Sequence, residues 1–125
     1  MHSTSAPAPG AGLDSQALAR LEELDPDGRH GVVQRVLTAY ETSLQRMLVQ
    51  LRGAPSPPSP EVVSSVAHTL KSSSASVGAL ALARTCAEVE SRLRSGDASS
   101  LGVDLARLIA EGEAALVAVA AILRK

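Results

Sequence analysis

Apolar side chains recur every three or four residues through most of the chain, and this spacing is typical of amphipathic helices. The longest series lies in the second of five predicted helices and comprises Val33, Leu37, Tyr40, Leu44, Met47, Leu48 and Leu51. With a rise of about 1.5 Å per residue, this helix is roughly 30 Å long. No segment shows the apolar and polar alternation of a strand, so the chain is predicted to be helical.

A short helix is predicted before the long one. Asp14 is its expected N-cap, and its apolar stripe is Leu18, Leu21 and Leu24. The sequence DPDG at residues 25–28 should end it, because proline and glycine favour turns.

The third helix has a clear beginning and end. The sequence GAPSPPS at residues 53–59 ends the second helix, and Ser59 then provides an N-cap. Pro60 suits the first helical position because it has no amide hydrogen to leave unpaired, and Glu61 suits the positive helix end. Gly78 is the expected end of this helix.

Two further helices complete the pattern. The fourth carries Leu82, Cys86, Val89 and Leu93 and should end at the sequence SGD, residues 95–97. The fifth carries Leu101, Leu105, Leu108, Leu116, Val119 and Leu123. Gly112 lies inside the fifth helix at some cost in helical propensity, and the sequence contains no decisive reason for it.

Short connections between these helices predict antiparallel neighbours around one core. The expected fold is all-α: an antiparallel four-helix bundle with an additional short N-terminal helix, spanning residues 13–125. Residues 1–12 are small, rich in proline and glycine and without periodicity, so they are predicted to form a disordered lead.

Composition excludes several classes of function. The 125 residues suit one domain, and 12 basic against 13 acidic residues leave no positive excess for nucleic acid or an anionic membrane. Tyr40 is the only aromatic residue, so stacking platforms for bases are missing. Cys86 is the only cysteine and cannot form an internal disulfide. With no signal peptide and no apolar run long enough to span a bilayer, the protein is expected to be cytoplasmic.

His68 lies on the side of the third helix that faces away from the predicted core. On a helical wheel, Val63, Val66 and Val77 lie within about 40° of Leu70, which defines the buried stripe. His68 lies about 160° from Leu70 and therefore points to solvent. Small or polar residues flank it on that side, and they are Ser64, Ser65, Lys71, Ser72 and Ala75. The imidazole should therefore stand clear of its neighbours and be open to a bulky partner.

Position alone favours an ordinary surface histidine on a solvated helix. A metal site is disfavoured because Lys71 and serines occupy the positions that could share a cation with His68. A serine hydrolase is disfavoured because there is no nucleophile elbow and no obvious orienting carboxylate. The remaining chemistry is a histidine nucleophile that attacks phosphorus, with Lys71 offsetting charge on the phosphoryl oxygens.

The sequence AHTLKSSSASVGA, residues 67–79, resembles the signature of the histidine-containing phosphotransfer (HPt) family. That signature is His-x-Leu-Lys-Gly-Ser/Ala-Ser/Ala, followed by an aliphatic residue, Gly and Ala. The matching residues are His68, Leu70, Lys71, Ser73, Ser74, Val77, Gly78 and Ala79. Ser72 departs from it, since the family commonly has glycine there, which leaves room for an incoming receiver domain.

The resemblance implies a four-helix bundle with a reversible phosphohistidine on His68, normally at Nε2. The phosphoryl group would come from an aspartate in the receiver domain of a hybrid sensor histidine kinase and pass to an aspartate of a response regulator. Lys71 would stabilise the phosphoryl group, while Leu70, Ser73, Ser74 and Gly78 would have structural roles. Partner contact would involve Ser64, Ser65, Ser72 and Ala75.

The resemblance also implies a carrier without autonomous kinase activity, cofactor or metal of its own. In the family, magnesium and most catalytic groups belong to the receiver, and this chain has no Gly-x-x-x-x-Gly-Lys loop. We expect a monomer. Two alternatives stay open: a helical adaptor that uses the same face without phosphorylation, and an excised terminal domain of a hybrid histidine kinase.

Overall fold

The computed structural model describes residues 12–53 and 57–124. It contains the helices α1 (Ser15–Glu23), α2 (Val32–Arg52), α3 (Pro60–Val77), α4 (Leu80–Arg94) and α5 (Leu101–Leu123), and no strand within those residues. The predicted all-α class is confirmed. The predicted disordered lead lies outside the described residues except for Gly12, and so do residues 54–56 of the segment that ends the second helix.

The four long helices pack in a ring in which each contacts two others. The most extensive contact is between α3 and α4, followed by that between α2 and α5; α2 also packs on α3 and α4 on α5, while α1 lies across α2 and α3. Two ion pairs between α2 and α5, Arg52 with Glu113 and Glu41 with Arg124, show that these helices are antiparallel. The structure is therefore the predicted four-helix bundle with a short additional helix.

The core is aliphatic because the predicted stripes meet at the centre of the bundle. Its largest fully buried side chains are Leu37, Leu44, Leu48, Leu51, Leu70, Leu82, Leu108, Val63, Val77, Val89, Val119 and Cys86. The single aromatic residue, Tyr40, is also buried, and its hydroxyl lies 2.8 Å from Oγ of the buried Ser74. This hydrogen bond joins α2 to α3 and satisfies two polar groups that would otherwise be costly to bury.

The helix ends agree with the sequence, with one exception. Asp14 accepts a hydrogen bond from the Ala17 amide, and Ser59 accepts one from the Val62 amide. Leu24 was expected in the apolar stripe of the first helix, and this was wrong. It is 69% exposed because α1 ends one residue earlier and Ala17 faces the core instead.

The reason for a glycine at position 112 is visible only in the packed bundle. A Cβ atom at this position would lie 2.7 Å from Cδ2 of Leu48, which is itself buried. Real Cβ atoms do not approach so closely, so the glycine allows α5 to pack tightly against α2.

Gly78 permits more than the turn after α3. Its φ of 87° is favourable only for glycine, and its carbonyl accepts a hydrogen bond of 2.8 Å from the Asp14 amide. A Cβ atom here would lie 2.7 Å from that same amide nitrogen. Gly78 therefore both turns the chain into α4 and provides the surface on which α1 begins.

None of the described helices is long and apolar enough to cross a membrane.

Candidate functional site

His68 lies near the middle of α3 with 70% of its side chain exposed. The residues that hold α3 in the core, Ala67 and Leu70, are buried. The helix is thus anchored on one side and presents an imidazole on the other, as the wheel predicted.

Glu90, on α4, is the main contact of this imidazole. Its Oε2 atom lies 2.6 Å from Nδ1 of His68, and its Oε1 atom accepts a hydrogen bond of 2.7 Å from Nζ of Lys71. Only 5% of the Glu90 side chain is exposed, whereas that of Lys71 is 40% exposed. One nearly buried carboxylate therefore holds both residues that sequence analysis chose for the chemistry.

The two hydrogen bonds control the protonation of Glu90. The bond from Lys71, followed by that from His68, lowers the pKa of Glu90 below its ordinary value. An ionised carboxylate can only accept hydrogen bonds, so a neutral His68 must carry its proton on Nδ1. Its Nε2 atom then has a free lone pair and points away from Glu90, which is the arrangement a nitrogen nucleophile requires.

The backbone brings Glu90 to this place through a very short connection. Only Gly78 and Ala79 separate α3 from α4, so the two helices return side by side. Glu90 lies one turn after Cys86 and next to Val89, both fully buried, and therefore faces α3. A carboxylate in this position must be paired, because an isolated buried charge is costly.

The pairing of Glu90 differs from that of the other buried acidic residues in the described part of the chain. Glu41 is paired with Arg124 and Asp104 with Arg92, while Asp25 accepts from the backbone amides of its own loop. Only Glu90 binds a histidine and a lysine. The pairs of Glu41 and Asp104 connect different parts of the bundle and Asp25 stabilises its own loop, whereas Glu90 orients the exposed His68 and Lys71.

The other sequence-predicted residues fall into two groups. Leu70 and Ser74 are buried, Ser73 is half-buried with its hydroxyl donating to the carbonyl oxygen of Thr69, and Gly78 forms the turn described above. Of the expected partner contacts, Ser65, Ser72 and Ala75 are exposed and Ser64 is half-buried, and all four lie on the His68 side of α3.

Sequence analysis missed Glu90 and stated that no orienting carboxylate was obvious. A signal was present: Glu90 follows Cys86 by four residues and so falls on the buried stripe of α4, where an acidic residue is unexpected. In the described residues, no serine hydroxyl is hydrogen-bonded to His68, whose contact is Glu90. Those residues also contain no cluster of three or more side chains that could hold a metal ion.

A helical bundle with an exposed histidine, held by a carboxylate beside a lysine, fits a known class of protein, the histidine phosphocarriers. A sequence model of the Hpt domain matches residues 32–121, which is most of the chain. The chain belongs to the Hpt domain family. Hpt domains take part in two-component signalling as phosphocarriers rather than as kinases, and the sequence-based recognition of this family is confirmed.

The fold has a counterpart among solved structures. The chain is similar to histidine-containing phosphotransfer protein B from Pseudomonas aeruginosa PAO1, with a TM-score of 0.75 and 23% identity. The similarity covers 96% of this chain and 97% of the other, and at this identity it shows the fold. None of the curated protein sequences matches the chain.

Proposed function

We propose that His68 is the phosphoacceptor of a phosphorelay. Its Nε2 atom takes a phosphoryl group from the aspartate of a receiver domain in a hybrid sensor histidine kinase and passes it to the aspartate of a response regulator. The observation that carries this proposal is the hydrogen bond from Nδ1 of His68 to Glu90, because it leaves Nε2 free and exposed.

The transfer step follows from this geometry. The Nε2 lone pair attacks the phosphorus of the receiver's aspartyl phosphate, a P–N bond forms, and the P–O bond to the aspartate breaks. The electrons of that bond remain on the aspartate carboxylate. The ring gains positive charge, and the carboxylate of Glu90 stabilises it through the proton retained on Nδ1. Transfer to the response regulator is the reverse reaction with another aspartate.

Lys71 supplies a positive charge on the same face. Its ammonium group is bound to Glu90 before transfer, and it is 40% exposed, so it can turn toward phosphoryl oxygens when they arrive. An ammonium group offsets the charge of a transferred phosphoryl group without taking part in the covalent chemistry. We therefore assign His68 the bond-forming role and Lys71 an electrostatic role.

The remaining parts of the proposal concern the partners. Ser64, Ser65, Ser72 and Ala75 contact the docked receiver, and their small side chains leave His68 accessible. The protein acts as a monomer and does not phosphorylate itself, so magnesium and ATP alone leave it unmodified.

The test is phosphoryl transfer from a panel of phosphorylated receiver domains. Wild-type protein should take up phosphate that is labile to acid and stable to alkali, and His68→Gln should take up none while melting at nearly the same temperature. His30→Gln is the matched control, because His30 is an exposed histidine in the α1–α2 loop. Uptake by His68→Gln would disprove the assignment, and receiver binding without uptake by the wild type would favour an adaptor.

A further inference from the structure

A groove beside His68 lies between the first half of α3 and the last turns of α4. Its volume is about 500 Å³, and its lining includes Pro60, Glu61, Ser64, His68, Leu93 and Arg94. The helices are held together at the other end by the short turn at Gly78 and Ala79. The groove opens where α3 begins and α4 ends, at the end remote from this turn.

Besides Glu90, which is paired with His68 and Lys71, two charged residues line the groove and are exposed to a partner. Glu61 is exposed in the first turn of α3 and forms no ion pair with another described residue. Arg94 is 70% exposed, and its guanidinium group lies 3.6 Å from Oε2 of Glu90, which already accepts from His68. Arg94 is therefore held loosely. Leu93 and Pro60, both half-buried, add apolar surface between these charges.

A receiver that reaches His68 must also cover this groove. A stable interface buries about 800 Å² on each partner, which corresponds to a patch of roughly 16 Å radius. Glu61 precedes His68 by two turns of the same helix, a distance of about 10 Å along the axis. The groove therefore falls inside the footprint of any partner centred on His68.

We propose that this groove distinguishes cognate from non-cognate receivers, an inference that rests on the proposed function of His68. Its occupant is a surface segment of the receiver with an aliphatic side chain against Leu93 and Pro60. A basic side chain of that segment meets Glu61, and a carboxylate meets Arg94. A receiver with an acidic residue opposite Glu61 is rejected by like-charge repulsion.

The experiment compares transfer rates from every receiver in the panel that phosphorylates the protein, each over a range of receiver concentrations. Glu61→Lys reverses the charge, Glu61→Gln removes it, and Ser64→Leu places a larger apolar side chain in the groove. Glu23→Lys is the matched control, since Glu23 is an exposed acidic residue on α1 and the change in net charge is the same. Circular-dichroism melts verify that each variant is folded.

We expect Glu61→Lys to raise the half-saturating receiver concentration about tenfold, with a smaller rise for Glu61→Gln and none for Glu23→Lys. Salt near 1 M should remove most of the difference, because exposed charges are then screened within about 3 Å. Ser64→Leu should raise the same concentration independently of salt. The order of preference among receivers should change for Glu61→Lys.

Two outcomes overturn the inference, and they are distinguishable. If the Glu61 and Ser64 variants behave like Glu23→Lys while transfer still requires His68, the groove does not contribute to recognition and Ser64 is not a receiver contact, but the assignment of His68 stands. If no receiver phosphorylates the wild-type protein, the proposed function fails and the groove proposal fails with it.

Discussion

The carboxylate of Glu90 lies 2.6 Å from Nδ1 of His68 and 2.7 Å from Nζ of Lys71, so one acidic side chain orients both groups of the candidate site. Glu90 is attached to a different helix from the residues it holds. The site is therefore a product of helix packing, and its properties can be tested by changing either helix.

Glu90→Gln should slow phosphoryl transfer by roughly ten- to a hundred-fold, the range found for carboxylates that orient metal-binding histidines. The side-chain amide introduced by this substitution has no charge to stabilise the imidazole of His68. It can also donate a hydrogen bond to Nδ1, which places the imidazole proton on Nε2. Rapid-quench kinetics measure the rate, and nitrogen-15 NMR of the imidazole measures the tautomer. Glu88→Gln is the control, because Glu88 is paired with Arg107 instead. A wild-type rate in Glu90→Gln would remove this residue from the mechanism.

Lys71→Ala should slow transfer without abolishing it, since His68 alone forms the covalent bond. Loss of a charged contact to the phosphoryl group raises the barrier by about 1.5 to 3 kcal/mol, which is roughly ten- to a hundred-fold in rate. Arg20→Ala removes the same charge from the exposed surface of α1 and should have no effect. Equal rates for both variants would contradict an electrostatic role for Lys71.

Ser72 tests whether partners dock on the His68 face. Ser72→Arg retains helical propensity but extends a long side chain over this face, so transfer should be blocked while the bundle remains folded. Ser72→Gly should transfer at an equal or slightly higher rate, although glycine in a helix destabilises the protein by about 0.5 to 1 kcal/mol. Transfer kinetics and thermal melts of both variants provide the comparison. An unchanged rate in Ser72→Arg would place the docking surface elsewhere.

Gly78→Ala should destabilise the protein more than Gly96→Ala. Both glycines have a φ of 87°, so both substitutions impose a similar backbone cost of about 1 kcal/mol. At Gly96 an added Cβ meets nothing within 4 Å, whereas at Gly78 it meets the backbone of Asp14. Urea unfolding should show an additional loss of about 1 to 3 kcal/mol for Gly78→Ala. Hydrogen exchange in α1 should accelerate in Gly78→Ala. If both variants lost the same free energy of unfolding, the close contact between Gly78 and Asp14 would contribute nothing to stability.

The buried hydrogen bond between Tyr40 and Ser74 can be measured by a double-mutant cycle. Tyr40→Phe and Ser74→Ala each leave a buried hydroxyl without its partner, and each should lower the free energy of unfolding by about 1 to 3 kcal/mol. The double variant should lose less than the sum of the two. Strictly additive losses in denaturant unfolding would show that the hydroxyl groups do not interact.

Local patterns predicted the helices and the α3 residues of the candidate site, His68 and Lys71. The series in α2 and α3 repeat with helical period, and they identified Leu70 as buried and His68 as exposed without any tertiary information. The caps Asp14 and Ser59 were predictable for the same reason, since their partners lie three residues away.

Features that depend on contacts between helices could not be predicted in this way. Periodicity gives the face of each helix but not which residue of α4 lies opposite His68, so Glu90 was missed. The reason for Gly112 is the position of Leu48, 64 residues earlier in the sequence, and no local pattern contains it. Leu24 was instead predicted to be buried and is exposed, because the helical repeat was extended past Glu23, the residue at which α1 ends.

The rigid support of His68 has a consequence for signalling. Its ring is held by a carboxylate on a helix that is joined to its own by only two residues, so under the proposed function we expect the backbone to keep its arrangement when a phosphoryl group is accepted. The loaded and empty forms then have nearly the same shape. Under the proposed function, a partner would distinguish the two forms by the charge of the phosphoryl group itself, and the net direction of transfer would follow the relative abundance of loaded and empty receivers.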